Sequence, residues 1–161
     1  MARTQADRLH DKAFTLVEIL IVVVLLGILA AVVVPSFANA SEPTRQTTFI
    51  TNMKSFADAA QLVRIRSGEY PPDGSSGIMP DELDGYIASE DWNNGTPIGG
   101  VWDSEDTDEG YGIGIHFDGT GETRDDVYMA QIDEIFDDGN LEAGAFQSTG
   151  DGRYYLIIEA N

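Results

Sequence analysis

The chain is 161 residues long, 42% hydrophobic and free of cysteine, with 28 Asp and Glu against 9 Lys and Arg for a net charge of −19. That length allows one domain, the charge argues against nucleic acid and anionic lipid as direct ligands, and the missing thiols exclude a disulfide staple. Arg45, Lys54, Arg64, Arg66, Arg124 and Arg153 read as too few and too scattered for a basic patch.

Residues 1–13 carry Arg3, Arg8 and Lys12 and lead into the longest apolar run, residues 14–34, in which Thr15 and Glu18 are the polar side chains. As a helix rising ~1.5 Å per residue the run reaches about 30 Å, one hydrocarbon thickness. The bases before it keep the N-terminal arm in the cytoplasm and send everything beyond Pro35 outward, a single-pass arrangement. Glu18 is the anomaly, because a carboxylate in hydrocarbon costs on the order of 3 kcal/mol and calls for a partner charge. No Lys or Arg inside the run supplies one.

The stretch Lys12-Ala13-Phe14-Thr15-Leu16-Val17-Glu18-Ile19-Leu20 resembles the processing site of type IV prepilins and type II secretion pseudopilins. The resemblance implies cleavage by a prepilin peptidase between Ala13 and Phe14, N-methylation of Phe14, and a mature chain whose fifth residue is Glu18. It also implies the missing partner: the free amine of Phe14 in a neighbouring subunit, meeting Glu18 in the low-dielectric core of a filament. Ala13 stands where the family nearly always has Gly. Gly27 and Pro35 resemble the places where the family's helix loosens on assembly, and Pro35 removes a backbone hydrogen bond. Two rival readings are a plain signal anchor and a secretory signal cut after Ala38-Asn39-Ala40, ahead of Ser41.

Farther along, Phe49, Met53, Phe56, Ala60 and Val63 recur at helical spacing and draw one apolar stripe, so residues 36–67 read as an amphipathic continuation. At Ser41-Glu42-Pro43 either the helix bends or a second one begins with Pro43 in its first turn. Gly68 ends the pattern as a C-cap. From 69 to 100 the chain reads as a folded loop anchored by Leu83, Tyr86, Ile87, Trp92 and Ile98, with one helical turn around residues 81–88. Asp91-Trp92-Asn93-Asn94 is a partial match to the Asp-Pro-Trp-Gly of pseudopilins.

A strand begins within Thr96-Pro97-Ile98-Gly99-Gly100-Val101-Trp102. A second, residues 111–117, alternates Gly with bulky residues, which puts its Gly side against another backbone or solvent. Residues 125–136 read as a short helix with Met129, Ile132, Ile135 and Phe136 on one face. Residues 141–147 and 154–159 read as two strands joined through Thr149-Gly150-Asp151-Gly152. The expected fold is α+β, a long N-terminal helix packed on a small antiparallel sheet. The divisions are a leader, 1–13; a transmembrane or filament-core helix, 14–35; its amphipathic continuation, 36–67; and a globular head, 68–161.

Asp103, Glu105, Asp106 and Asp108 crowd an acidic stretch placed between two strands, the kind of oxygen-rich loop that suits Ca²⁺. The family resemblance also implies Ca²⁺ in the head, without mapping its ligands onto particular residues. Asp137-Asp138-Gly139-Asn140 with Glu142 is a second acidic cluster that reads as a helix stop. His116 on a strand reads as structural, and no zinc, phosphate-loop or nucleophile-elbow motif is present, so the chain does not read as an enzyme.

The resemblance implies a filament subunit, a type II secretion pseudopilin, whose partners are identical or related pilin subunits, the prepilin peptidase, and an inner-membrane assembly platform with its ATPase. Its head lies outside the inner membrane, then in a periplasmic or cell-surface filament. The alternatives are a type IV pilin of a surface pilus for adhesion or motility, and a membrane-anchored or secreted binding module using Trp92 and Trp102.

Overall fold

The computed structural model describes residues 14–107 and 110–159, with the side chains of residues 32–40 and of residue 159 outside the described set. The chain divides into two compact units, the first ending at Ser41 and the second starting at Glu42. Helix α1, Leu16–Ser67, contributes to both. It is continuous through Ser41-Glu42-Pro43, so no second helix begins at Pro43.

In the first unit the helix is apolar all round. Val17, Leu20, Val23, Leu26 and Leu29, which point in different directions around the axis, are each 53–61% exposed. A helix with no polar face finds its stable setting only in lipid or among other apolar helices. Among the described residues no helix is long and apolar enough to cross a membrane. The described apolar side chains of this unit end at Ala31, and part of the expected span 14–35 falls on residues 32–40.

The second unit is α+β. After α1 come a 3-10 turn, Asp81–Leu83, and helix α2, Ser89–Asn93; then strands β1, Val101–Thr107, and β2, Gly110–His116; helix α3, Asp126–Phe136; and strands β3, Phe146–Gly150, and β4, Arg153–Glu159. The sheet is antiparallel in the order β1-β2-β4-β3. The stripe read from the sequence is the core face of α1, with Phe49, Met53, Phe56, Ala60 and Val63 all buried. Trp102 from β1 stacks on Phe49, centroids 5.3 Å apart, and meets the edge of Phe56 at 4.9 Å, while Trp92 from α2 lies 5.4 Å from Phe56. Each ring removed from water contributes about 2–3 kcal/mol, which makes this cluster the main weld between helix and sheet.

Three element boundaries differ from the sequence reading. Thr96 to Gly100 form a turn, with Thr96 N donating to Gly100 O and left-handed φ of 101° and 66° at Gly99 and Gly100, so β1 starts at Val101. Helical structure in the 81–93 stretch is split between the turn at Asp81–Leu83 and α2 around Trp92. β3 starts at Phe146, because the chain turns at residues 140–145, where Ala143 N donates to Asn140 O and Gly144 has φ 93°.

Helix α3 begins one residue after the start read from the sequence, with the Asp125 carboxylate accepting from Tyr128 N as its N-cap. Met129 and Ile132 are buried, but Ile135 is 64% exposed and Asp133 takes a buried position. At 100° per residue, Ile135 lies too far round from Met129 to share its face. Arg124 fastens the loop before α3. Its Nε donates to Ile98 O at 3.2 Å, its Nη2 reaches Glu42 at 3.0 Å, and its guanidinium lies over the Tyr128 ring.

Candidate functional site

Among the described residues, polar chemistry gathers at the start of α1 and on the outer face of the sheet, apart from the Arg124 cluster that fastens the loop before α3. At the first, Thr15 N and Thr15 Oγ1 donate to Glu18 Oε2 at 2.8 and 2.9 Å, and Glu18 N donates to Thr15 Oγ1 at 3.2 Å. This is a reciprocal capping box, with Thr15 at the N-cap and Glu18 three residues on, which satisfies amide donors that a helix start leaves open. The anomalous acid of the apolar run therefore has a local partner in Thr15. Phe14 is 80% exposed. Ala13, the other half of the expected cleavage site, lies outside the described residues, as does the side chain of Pro35. At Gly27 an added Cβ would meet no atom within 4 Å.

On the sheet, the acids expected in a loop lie in a strand. β1 continues through Thr107, whose hydroxyl donates to Gly110 O at 2.7 Å, and register pairs Asp106 with Tyr111 and Glu105 with Gly112. Successive strand residues point to opposite faces, so Asp103 and Glu105 share the outer face while Asp106 lies on the other. Of the acids expected as calcium ligands, Asp103 and Glu105 share a face and Asp106 does not, and Asp108 falls outside the described residues. Among the described residues no group of three or more His, Asp or Glu could hold a metal ion. An acid-bearing β1 fits its place at the sheet edge, where charge discourages pairing with a foreign strand.

Asp103, 4% exposed, is the centre of a network that sequence reasoning missed. Tyr155 Oη, with one proton to share, lies 2.7 Å from Asp103 Oδ2 and 2.6 Å from Glu105 Oε2, and Ser76 Oγ donates to Asp103 Oδ2 at 2.9 Å. Arg153 Nε, 3.5 Å from Asp103 and 3.6 Å from Glu105, supplies the compensating charge. Burial, then the bonds to Glu105 and Asp103, push the Tyr155 phenol well above its usual range, so it stays a proton donor.

The tyrosine reaches the acids because β2 offers no side chain to block it. A Cβ on Gly112 would lie 2.7 Å from Tyr155 Cβ, and one on Gly114 would run into the Tyr154 carbonyl. The alternation of Gly in β2 was the available signal, and its Gly side does lie against another backbone.

His116 Nδ1 lies 2.9 Å from Ser76 Oγ. The serine has one proton and gives it to Asp103, so the histidine donates and Ser76 accepts. That polarity is the reverse of a serine nucleophile activated by a base. The cluster holds the loop carrying Ser76 onto the sheet, helped by Gly77 N donating to Trp102 O at 2.8 Å.

The start of α1 gives the class. Residues 8–34 match the family described as "Prokaryotic N-terminal methylation motif". With the α+β head, that match supports the pilin and pseudopilin family for this chain. The chain is similar to type II secretion system core protein G of Pseudomonas aeruginosa, 38% identical over 65 residues, 40% of this chain and 46% of that protein. It is also similar to core protein G of Aeromonas hydrophila, 33% identical over 62 residues, 38% of this chain and 43% of that protein. The same holds for core protein G of Vibrio cholerae, 36% identical over 61 residues, 38% and 42% of the two chains. The matched region therefore spans less than half the length of these relatives. No solved structure gives a significant match.

Proposed function

We propose that this chain is a structural subunit of a type II secretion pseudopilus, held in the inner membrane by the apolar part of α1, cut between Ala13 and Phe14, and then polymerised with that helix in the filament core. The observation that carries the reading is the capped Glu18 at the head of a helix exposed and apolar on every side. Removing residues 1–13 creates an ammonium group at Phe14, one residue before the N-cap. In a water-excluded core the carboxylate of one subunit and the amine of the next attract strongly enough to set register, provided both remain hydrogen-bonded. Thr15 keeps the carboxylate satisfied until that partner arrives.

The partners in this reading are further pseudopilin subunits, the prepilin peptidase and the inner-membrane assembly machinery. The role is mechanical, and the head is the part displayed in the periplasm. Similarity to proteins named type II secretion system core protein G supports the secretion pseudopilus over a surface pilus.

Mass spectrometry of the purified chain tests the reading. An N-methylated Phe14 is the expected terminus; Ser41 at the start would mean secretion, and an intact leader a plain anchor, and either result overturns the proposal. Glu18→Ala should abolish filament formation while leaving the chain membrane-bound.

A further inference from the structure

Two outward helix faces in the second unit each expose two large apolar side chains and differ in charge. Among the described residues of this unit, the large apolar side chains more than half exposed are Leu62, Ile65, Ile78, Val127 and Ile135. Four of these five sit on helices. Leu62 and Ile65 are one turn apart on the side of α1 that also carries Lys54 and Asp58, opposite Phe56 and Ala60. Val127 and Ile135 lie two turns apart on the exposed side of α3, with Gln131 between them and the exposed Glu134 next to Ile135, away from the buried Met129.

The charges separate in the same way. Residues 43–67 hold four bases, Arg45, Lys54, Arg64 and Arg66, against the single acid Asp58, a net of +3 in a chain of net −19. Residues 125–138 hold six acids and no base. Lys54 rests over the Phe136 ring at 4.4 Å and Arg66 reaches the Tyr86 hydroxyl at 3.4 Å. Among the described residues neither is in an ion pair, so their charge remains available to an outside carboxylate.

We propose that these faces bind each other between copies of this chain, the Leu62 and Ile65 face of α1 in one copy against the Val127 and Ile135 face of α3 in the next, with Lys54 and Arg66 toward the acids around Glu134. Like faces do not pair, because that would set bases against bases or acids against acids. Contact between unlike faces leaves each copy with one of each unsatisfied, so it repeats along an open series. Two apolar side chains a side make a weak contact alone; it gains from the high effective concentration of subunits already joined through their apolar helices. In that respect the inference rests on the filament reading.

The chain has no native cysteine, so each introduced thiol is unique. Full-length Ile65→Cys and Ile135→Cys chains are co-expressed in cells that assemble the protein and oxidised with copper phenanthroline. The expected product is a heterotypic disulfide dimer, with neither variant crosslinking to itself, and a chain bearing both substitutions should give a ladder. Leu62→Asp should lower the heterotypic yield about tenfold or more. Lys54→Glu should lower it about threefold, and Glu134→Lys in the partner copy should restore it.

Homotypic crosslinks, a doubly substituted chain that stops at the dimer, or no crosslink in cells that still make filaments would each overturn this contact while leaving the pseudopilin reading intact. An N-terminus other than Phe14 would sink the pseudopilin reading whatever the crosslinks show. Because the substituted residues are exposed, unchanged thermal melting of each variant separates a lost contact from a lost fold.

Discussion

Tyr155 on β4 reaches across two glycines of β2 to Asp103 on β1, hydroxyl to carboxylate 2.7 Å. Three neighbouring strands are tied through side chains on the outer face as well as through their ladders. Tyr155→Phe keeps the ring over the glycines and removes the donor, leaving a 4%-exposed carboxylate with Ser76, the Ser104 amide and the Arg153 guanidinium 3.5 Å away. The expected cost is about 1–3 kcal/mol in urea unfolding of the detergent-solubilised chain. A loss below about 0.5 kcal/mol would show that the phenol merely fills space.

The two kinds of glycine should respond oppositely to alanine. At Gly114 the new methyl collides with the Tyr154 carbonyl, backbone that cannot swing aside, so Gly114→Ala should destabilise the head by about 1–3 kcal/mol or more. At Gly27 nothing lies within 4 Å, and Ala is favoured over Gly in a helix by about 1 kcal/mol, so Gly27→Ala should raise helix content. If Gly27 serves as a loosening point on assembly, the same substitution lowers filament yield. Circular dichroism and filament counts on one preparation read both effects, and a yield that rises with helicity would remove Gly27 from that role.

Patterns that depend on a single repeat were legible in the sequence. The stripe from Phe49 to Val63 follows helical spacing and is the core face of α1, and the start of α3 was legible to within one residue, at Asp125, which the structure makes its N-cap. The acidic stretch was misjudged for a physical reason. Five acids in eight positions look like a solvated loop, yet pairing with β2 carries β1 to Thr107 and leaves Asp103 buried on the outer face of the sheet. What tolerates that burial is Tyr155, Ser76 and Arg153, brought from 27 to 52 positions away. No local pattern announces partners that far off. Ile135 failed more narrowly, because an apolar residue next to a buried Phe-bearing face was read as part of it.

Alkaline pH should weaken the head before it affects secondary-structure propensity. Burial pushes the Tyr111 phenol up to about 12 and, with help from the bond to Glu42, the Tyr128 phenol up to about 12, from an ordinary value of 10.0. The folded state holds these protons more tightly than the unfolded chain does. Their contribution to stability is therefore complete below about pH 10 and is lost as pH rises toward 12. Denaturant midpoints measured from pH 8 to 12 should fall over that upper window, in step with phenolate absorbance. Tyr111→Phe should flatten part of the fall, and a midpoint unchanged up to pH 12 would contradict the assignment.

The capping box makes a sharper demand on Thr15 than on its neighbours. Its hydroxyl donates to Glu18 Oε2 at 2.9 Å and accepts from Glu18 N at 3.2 Å, while its own amide supplies the third bond at 2.8 Å. Thr15→Val preserves the shape and the amide but removes both hydroxyl bonds, whereas Thr15→Ser keeps all three. An N-cap of this kind contributes about 1 kcal/mol, so the valine variant should lose about fivefold of amide-exchange protection at Glu18 in micelles, and the serine variant almost none. With the cap weakened the Glu18 carboxylate is free to turn out of the helix start before a neighbouring amine can meet it. Filament yield should therefore fall for Thr15→Val and hold for Thr15→Ser, with membrane insertion unchanged in both. Equal yields from the two variants would mean that Glu18 finds its partner without being held, and Thr15 would then be only a residue that tolerates the first turn of α1.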